Sequence, residues 1–260
     1  MVQRRLGRTD LRISVIGFGA FKIGRNRNVK YGSAYDLPDE TTAARLLNNI
    51  LDLGVNLIDT APAYGLSEER IGRALMTRRN EFVLCTKVGE RFDGERSTYD
   101  FSNTAIRRSL QESLERLRTD VIDLLLIHSD GNDEAILDQT DAVATLHELR
   151  DTGLVRAIGF SGKTVDGALS ALGWADVLMV EYHPDDESHA GVLETALEAD
   201  AGILVKKPLA SGRISPDRAL PFILANEAVS SVVIGGLDIE HVRRNAEIAN
   251  ACAGPAMRRS

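Results

Sequence analysis

At 260 residues, with 43% hydrophobic and 27% charged residues, the chain has the length of one large α/β domain and a composition that excludes disorder and collagen-like repeats. Its net charge of −7 gives no sign of nucleic-acid binding, no apolar stretch approaches the ~20 residues of a membrane span, and Met1 to Asp10 lacks a signal-peptide core. Cys85 and Cys252 are too few for a disulfide framework or a zinc cluster and are read as reduced thiols of a cytoplasmic protein.

In chain order, Arg4-Arg5-Leu6 and Leu11-Arg12-Ile13 flank the turn-rich Gly7-Arg8-Thr9-Asp10, which predicts a β-hairpin ahead of the main fold. Strand-like apolar runs follow at Val15–Phe18, Val55–Ile58, Phe82–Thr86, Ile122–Ile127, Val155–Phe160, Val177–Val180, Ile203–Val205 and Val232–Ile234. Between and after them, three- and four-residue spacing of apolar side chains predicts helices over 39–53, 67–78, 102–118, 134–152, 164–173, 189–199, 215–226 and 238–251. Ser67, Ser102 and Asp238 are the expected N-caps. Two long loops, Lys22 to Pro38 and Gly89 to Phe101, each follow a strand.

Runs such as Leu124-Leu125-Leu126-Ile127 suit strands buried on both faces, and eight alternating strand and helix units close most simply as a (β/α)8 TIM barrel over residues 1–260. The competing open doubly wound sheet calls for a glycine fingerprint after its first strand. Gly17-Phe18-Gly19-Ala20-Phe21-Lys22 carries only two of the three glycines.

Asp59 and Tyr64 follow the second barrel strand, Lys87 the third and His128 the fourth, so a closed barrel brings all four to one mouth. A phenol is a poor acid at neutral pH unless a nearby positive charge favours its phenolate, and Lys87 is the group to supply it, with Asp59 pairing the ammonium and His128 donating to a substrate oxygen or to the phenol. That is an apparatus for protonating an oxyanion as it forms.

The stretch Gly54-Val55-Asn56-Leu57-Ile58-Asp59-Thr60-Ala61 with Tyr64-Gly65, Ser67-Glu68 and Gly72, then Thr86-Lys87-Val88-Gly89 and Asp123-Leu124-Leu125-Leu126-Ile127-His128, resembles the aldo-keto reductases in order and spacing. The opening hairpin and Gly17-Phe18-Gly19 extend the resemblance over essentially the whole chain. It implies that Asp59, Tyr64, Lys87 and His128 form the catalytic tetrad, with Tyr64 as general acid, and that hydride comes from a nicotinamide cofactor across the barrel mouth.

The cofactor side departs from the family pattern. Ser161 matches, but Gly162 stands where an asparagine commonly holds the carboxamide, Met179 takes the usual glutamine position, and Lys206 replaces a stacking aromatic. Pro208, Leu209, Ser211 and Arg213 follow Lys206 as further cofactor contacts implied by the resemblance. Gly235 and Gly236 occupy the usual lysine and serine positions of the adenosine-phosphate segment, which continues through Asp238, Arg244 and Asn245. Glycines still allow backbone N–H groups to face a phosphate at a helix start. Arg244 is placed to reach a 2′-phosphate and Asp238 to accept ribose hydroxyls; the family habit favours NADP(H), with NAD(H) as the alternative.

The expected function is reduction of small aldehydes, ketones or sugar-like carbonyls by a monomer or weak homo-oligomer. The rim is expected to be shaped by Phe21, Tyr31, Tyr35, Arg91 and Phe92, because Ala253 to Ser260 is too short for the substrate-covering C-terminal loop of many relatives. A non-catalytic nicotinamide-nucleotide-binding regulatory subunit is the alternative, favoured by the altered nicotinamide contacts and opposed by retention of the tetrad. A metal-dependent hydrolase built on Asp59, His128, Asp130 and His183 lacks a compact ligand cluster in the sequence, and no metal is expected.

Overall fold

The structure is a computed structural model that describes residues 1–29 and 35–253. Strands β1 (Gln3–Arg5) and β2 (Arg12–Ser14) pair antiparallel with Arg4 opposite Ile13, forming the expected hairpin. Its apolar side chains Leu6, Leu11 and Ile13 plug the end of the barrel away from the strand C-termini, in one cluster with Leu57, Val83, Leu124, Ala157 and Val177. At Gly7 a Cβ would lie 2.1 Å from the backbone nitrogen of Gly202, so only glycine lets the hairpin turn sit against the barrel.

The remaining strands are β3 (Ile16–Gly19), β4 (Leu57–Asp59), β5 (Val83–Val88), the hairpin β6 (Glu90–Phe92) and β7 (Ser97–Tyr99), then β8 (Ile122–His128), β9 (Val155–Ser161), β10 (Val177–Glu181), β11 (Gly202–Lys206) and β12 (Val229–Ile234). All but β6 and β7 close into an eight-stranded parallel barrel, β12 returning to β3. The (β/α)8 expectation is met, and each expected barrel strand is present within three residues of its ends. Outside lie α1 (Glu40–Asp52), α2 (Ser67–Leu75), α3 (Asn103–Leu117), α4 (Asp133–Gln139), α5 (Ala142–Asp151), α6 (Val165–Ala171), α7 (Ala190–Glu198), α8 (Pro216–Leu224) and α9 (Ile239–Ala253). None of the helices described is long and apolar enough to cross a membrane.

Three local expectations are corrected. The helix over 134–152 is two helices, because Thr140 turns extended and its hydroxyl bonds back to Ile136 O at 2.6 Å. Ser67 is the first residue of α2 rather than its cap: its buried hydroxyl donates to Ala20 O at 2.9 Å and ties α2 to the loop after β3. The second long loop is not irregular, since β6 and β7 pair with Glu90 opposite Tyr99. Ser102 and Asp238 do serve the starts of α3 and α9, accepting from Ala105 N and Glu240 N.

Strand alternation sets up the site. Leu57, Val83, Cys85, Leu124, Leu126, Ala157, Val177, Met179 and Leu204 fill the barrel interior, whereas Ile58, Leu84, Leu125, Ile127, Ile158, Phe160, Leu178 and Val205 pack outward against the helices. On β4, β5, β8, β9, β10 and β11 the inward positions one layer above that filling are Asp59, Lys87, His128, Ser161, Glu181 and Lys206.

Candidate active site

Asp59 ends β4 and Lys87 is the inward residue near the end of β5; they are 4% and 1% exposed, so the ion pair between them is cut off from water. Lys87 Nζ donates to Asp59 Oδ1 and, at 2.9 Å, to the carbonyl of Thr60. Burial works against its charge, but the Asp59 carboxylate, with Tyr64, holds the ammonium well above the ordinary lysine range. Tyr64 ends a short 3-10 turn opened by Pro62, and Lys87 Nζ lies 4.8 Å from its ring centre. Phe21, from the loop after β3, meets the same ring edge-on at 5.1 Å, and His128 at the end of β8 faces it at 6.1 Å. The barrel thus gathers all four expected residues.

The charge balance corrects the expectation for the phenol. Burial, together with Asp59 and Glu90, pushes the Tyr64 hydroxyl above its usual value, and Lys87 only opposes that rise. Tyr64 therefore holds its proton in the resting protein, and the ammonium favours the phenolate only once that proton has left.

Glu90 is the residue that sequence reasoning missed. Because β6 is a strand, Glu90 and Phe92 share one face while Arg91 points the other way, to Glu112 at 2.8 Å. Glu90 Oε2 lies 2.9 Å from His128 Nδ1, a close approach that lacks the alignment of a directional hydrogen bond. Burial alone would raise this carboxyl, but His128, Ser97 and Arg25 outweigh it and hold it at about 2. Burial in turn pushes His128 below the usual imidazole value, with Glu90 opposing. Arg25 stacks 3.6 Å over Phe92, donates to Ala63 O at 3.0 Å and lies 4.0 Å from Glu90, so it binds the two rim loops to the turn that carries Tyr64. Tyr35 donates to Arg25 O, and Tyr31 lies outside the described residues. A glutamate following Lys87-Val88-Gly89 was visible in the sequence; only the hairpin register aimed it at His128.

On the other side of the mouth, Ser161 ends β9 and Lys206 ends β11. Lys206, in the position of a stacking aromatic, turns its Nζ to donate to Ser161 Oγ at 3.2 Å and to Gly162 O. Met179 is 2% exposed and belongs to the interior filling beneath them. At Gly162 a Cβ would stand 2.6 Å from Phe160 Cε1 and 2.8 Å from Asp133 Oδ2. That carboxylate already accepts from Lys163 N and Thr164 N, both at 2.7 Å. Gly162→Asn is therefore expected to destabilise the fold by ~1–3 kcal/mol through overpacking, read as a lower urea midpoint; an unchanged midpoint would show that Asp133 and Phe160 give way freely.

After β11 the backbone is left-handed at Lys207, Ala210 and Ser211, none of them glycine, a concentration of strain of the kind found at ligand-binding loops. Pro208 is buried, Leu209 half-buried, and Ser211 and Arg213 exposed. Beyond β12, a Cβ on Gly235 would meet Gly19 O at 2.7 Å, so this glycine fits close backbone passage. Asn245 is buried on α9, and Arg244 is exposed and paired with Asp217 at 2.9 Å. Elsewhere Glu181, His183 and Asp186 come within 4.8 Å of one another, a convergence the sequence did not suggest. Glu181 is already committed to Lys207 at 2.5 Å, which makes the group an ion-pair network.

The model of the Aldo/keto reductase family matches residues 15–218. The chain belongs to that family. A Pseudomonas aeruginosa protein assigned to the aldo-keto reductases superposes with a TM-score of 0.90 at 42% identity, over 97% of this chain and 96% of its own. The L-galactose dehydrogenase of Arabidopsis thaliana is 29% identical over 93% of this chain and 86% of its own length. The NADH-specific methylglyoxal reductase of Escherichia coli is 31% identical over 81% and 68%. This aldo-keto reductase is accordingly an NAD(P)H-dependent oxidoreductase.

Proposed function

We propose that the protein reduces small aldehydes, ketones or sugar-like carbonyls with NADP(H), with Tyr64 as the general acid, acting in the cytoplasm as a monomer or weak homo-oligomer. The observation that carries this reading is the sealed Asp59–Lys87 pair beneath a phenol that keeps its proton. The donor set on the β9, β11 and β12 side fits the cofactor: a hydroxyl and an amine at Ser161 and Lys206 suit a carboxamide, while Arg213, Arg244 and the glycine turn at Gly235 and Gly236 suit phosphates. Pro208, Leu209, Ser211, Asp238 and Asn245 would line the path between, with Gly162 and Met179 as walls.

When bound, the nicotinamide supplies the hydride. The chain's own residues handle the proton. As charge builds on the carbonyl oxygen, Tyr64 transfers its phenolic proton there, and the Lys87 ammonium stabilises the phenolate left behind. Asp59 and the Thr60 carbonyl keep that ammonium fixed. His128, beside the Glu90 carboxylate, donates to the same oxygen. The activities for which the relatives are named, on L-galactose and on methylglyoxal, define the first substrates to try.

Incubating the purified protein with NADPH or NADH and a panel of sugars, methylglyoxal and simple aldehydes tests the reading. Carbonyl-dependent oxidation of either nucleotide is expected. Tight nucleotide binding without turnover on any carbonyl would instead favour a regulatory nucleotide-binding subunit.

Cofactor choice rests on Arg244. Its present partner is a surface carboxylate, and such exposed pairs contribute only ~0–1 kcal/mol, so the guanidinium is free to turn to a 2′-phosphate. Asp238 is engaged at the start of α9, which leaves it a weaker competitor for ribose. Arg244→Ala is expected to weaken NADPH roughly tenfold to a hundredfold and leave NADH almost unchanged, measured as dissociation constants by fluorescence titration. Equal losses for both nucleotides would make Arg244 structural.

A further inference from the structure

Lys206 is set apart from its neighbours by what it lacks. It is the inward residue at the mouth end of β11, half-buried, and among the described residues it makes no ion pair. Two carboxylates are near enough to act on it, and both are taken. Glu181 is its register partner on β10, but that carboxylate binds Lys207 at 2.5 Å and approaches His183 at 3.6 Å. Asp133, at the start of α4, accepts from Ser129, from Thr164 Oγ1 and from the backbone N–H groups of Lys163 and Thr164. What remains for the Lys206 nitrogen is a hydroxyl, Ser161 Oγ, and a carbonyl, Gly162 O. The charges facing it are mainly of its own sign: Lys207 beside it and Lys87 across the barrel on β5. His128 on β8 and His189 ahead of α7 complete the ring of titratable groups that sense it.

We propose that Lys206 is a nucleophilic amine that condenses reversibly with small aldehydes, forming a Schiff base in the nicotinamide end of the cofactor site. Two features of the site fit this chemistry. A lysine desolvated beside other cations is the usual way a protein keeps an amine uncharged and reactive at neutral pH. Burial and the two lysines bring Lys206 down to about 7, with Glu181 and Asp133 only partly opposing. The second feature is Ser161, whose hydroxyl touches the nitrogen and can relay a proton.

The step balances without any further reactant. The amine nitrogen attacks the carbonyl carbon, a C–N bond forms, and a proton passes from nitrogen to the former carbonyl oxygen, giving a carbinolamine. The C–O bond then breaks, water leaves, and the C=N bond forms; one aldehyde is taken up and one water released. Placing the adduct in the nicotinamide site rests on the cofactor reading above, whereas the reactivity of the amine does not. The consequence is an enzyme whose free form is blocked by the aldehydes it reduces, and whose cofactor-bound form is not.

The chain has six lysines, Lys22, Lys30, Lys87, Lys163, Lys206 and Lys207, so attachment sites can be read one by one. The full-length protein is treated with propionaldehyde and sodium cyanoborohydride, which reduces the imine to a stable secondary amine, and peptides are mapped by mass across a pH series. At pH 7.5 Lys206 is expected to gain one propyl group on the order of 10²-fold faster than an ordinary lysine, with labelling half-maximal near neutrality, because an unperturbed amine stays protonated up to about pH 10.4. Lys206→Arg should abolish the fast labelling and keep the far-ultraviolet circular dichroism spectrum. Labelling spread evenly over the exposed lysines, or Lys206 labelling that rises only in the ordinary lysine range, overturns the inference and leaves the cofactor reading untouched. Saturating NADPH or NADH is expected to protect Lys206. Fast labelling that neither nucleotide prevents supports the amine's reactivity and overturns only the placement of the nicotinamide against it.

Discussion

Replacing Tyr64 with phenylalanine is expected to lower kcat by ~10² or more while cofactor binding and thermal stability barely change. The substitution removes one hydroxyl and keeps the ring, so the edge-on contact with Phe21 and the facing contact with His128 persist. Among the described residues packed against the Tyr64 ring, Lys87 and His128 also carry exchangeable protons, and neither is set up as an acid. The Lys87 ammonium is buried against Asp59 and held well above its ordinary range, which makes it a reluctant donor. His128 is depressed by burial and is predominantly neutral at pH 7, a hydrogen-bond donor rather than an acid. A Tyr64→Phe enzyme with wild-type kcat would remove the phenol from the mechanism.

The second large effect is expected from Lys87→Met, and it should appear in stability as well as in rate. The ammonium is 1% exposed and its partner 4%, so removing it leaves the Asp59 carboxylate buried without a counter-charge. Breaking one side of such a pair costs ~3–5 kcal/mol, whereas replacing both partners with groups of similar size is far milder. Turnover should fall by ~10² or more, because the phenolate formed on proton transfer loses its stabilising charge. The double variant Asp59→Asn/Lys87→Met separates the two losses. It is expected to recover most of the urea midpoint and none of the rate. Recovery of rate along with stability would mean that Lys87 is only a structural partner, and additive stability losses would contradict the coupling between the two side chains.

The approach of Glu90 to His128 shows where sequence reading stops. In the chain, Glu90 lies among polar residues of a segment that looks like a surface excursion, and the side chains singled out there were Arg91 and Phe92. A β-hairpin with two-residue periodicity sends Arg91 to Glu112 and puts Glu90 and Phe92 on the inner face. The pairing of β6 with β7 is a contact between residues that no single window of sequence displays. Lys206 shows the same limit. Its identity at the strand end is plain, but its partners, and the engagement of both nearby carboxylates elsewhere, depend on β9, β10 and α4.

The sequence by itself determined the barrel and the composition of its mouth. Eight apolar runs separated by helical periods leave few other closed arrangements, and strand alternation carries Asp59, Lys87 and His128 inward whatever the loops do. Only the tertiary structure decided the charge states. Whether Tyr64 keeps its proton, whether Lys206 is held near neutrality, and which group faces His128 all follow from burial and from neighbours far apart in the chain. Coulomb and desolvation effects depend on distances of a few ångströms that residue order does not encode.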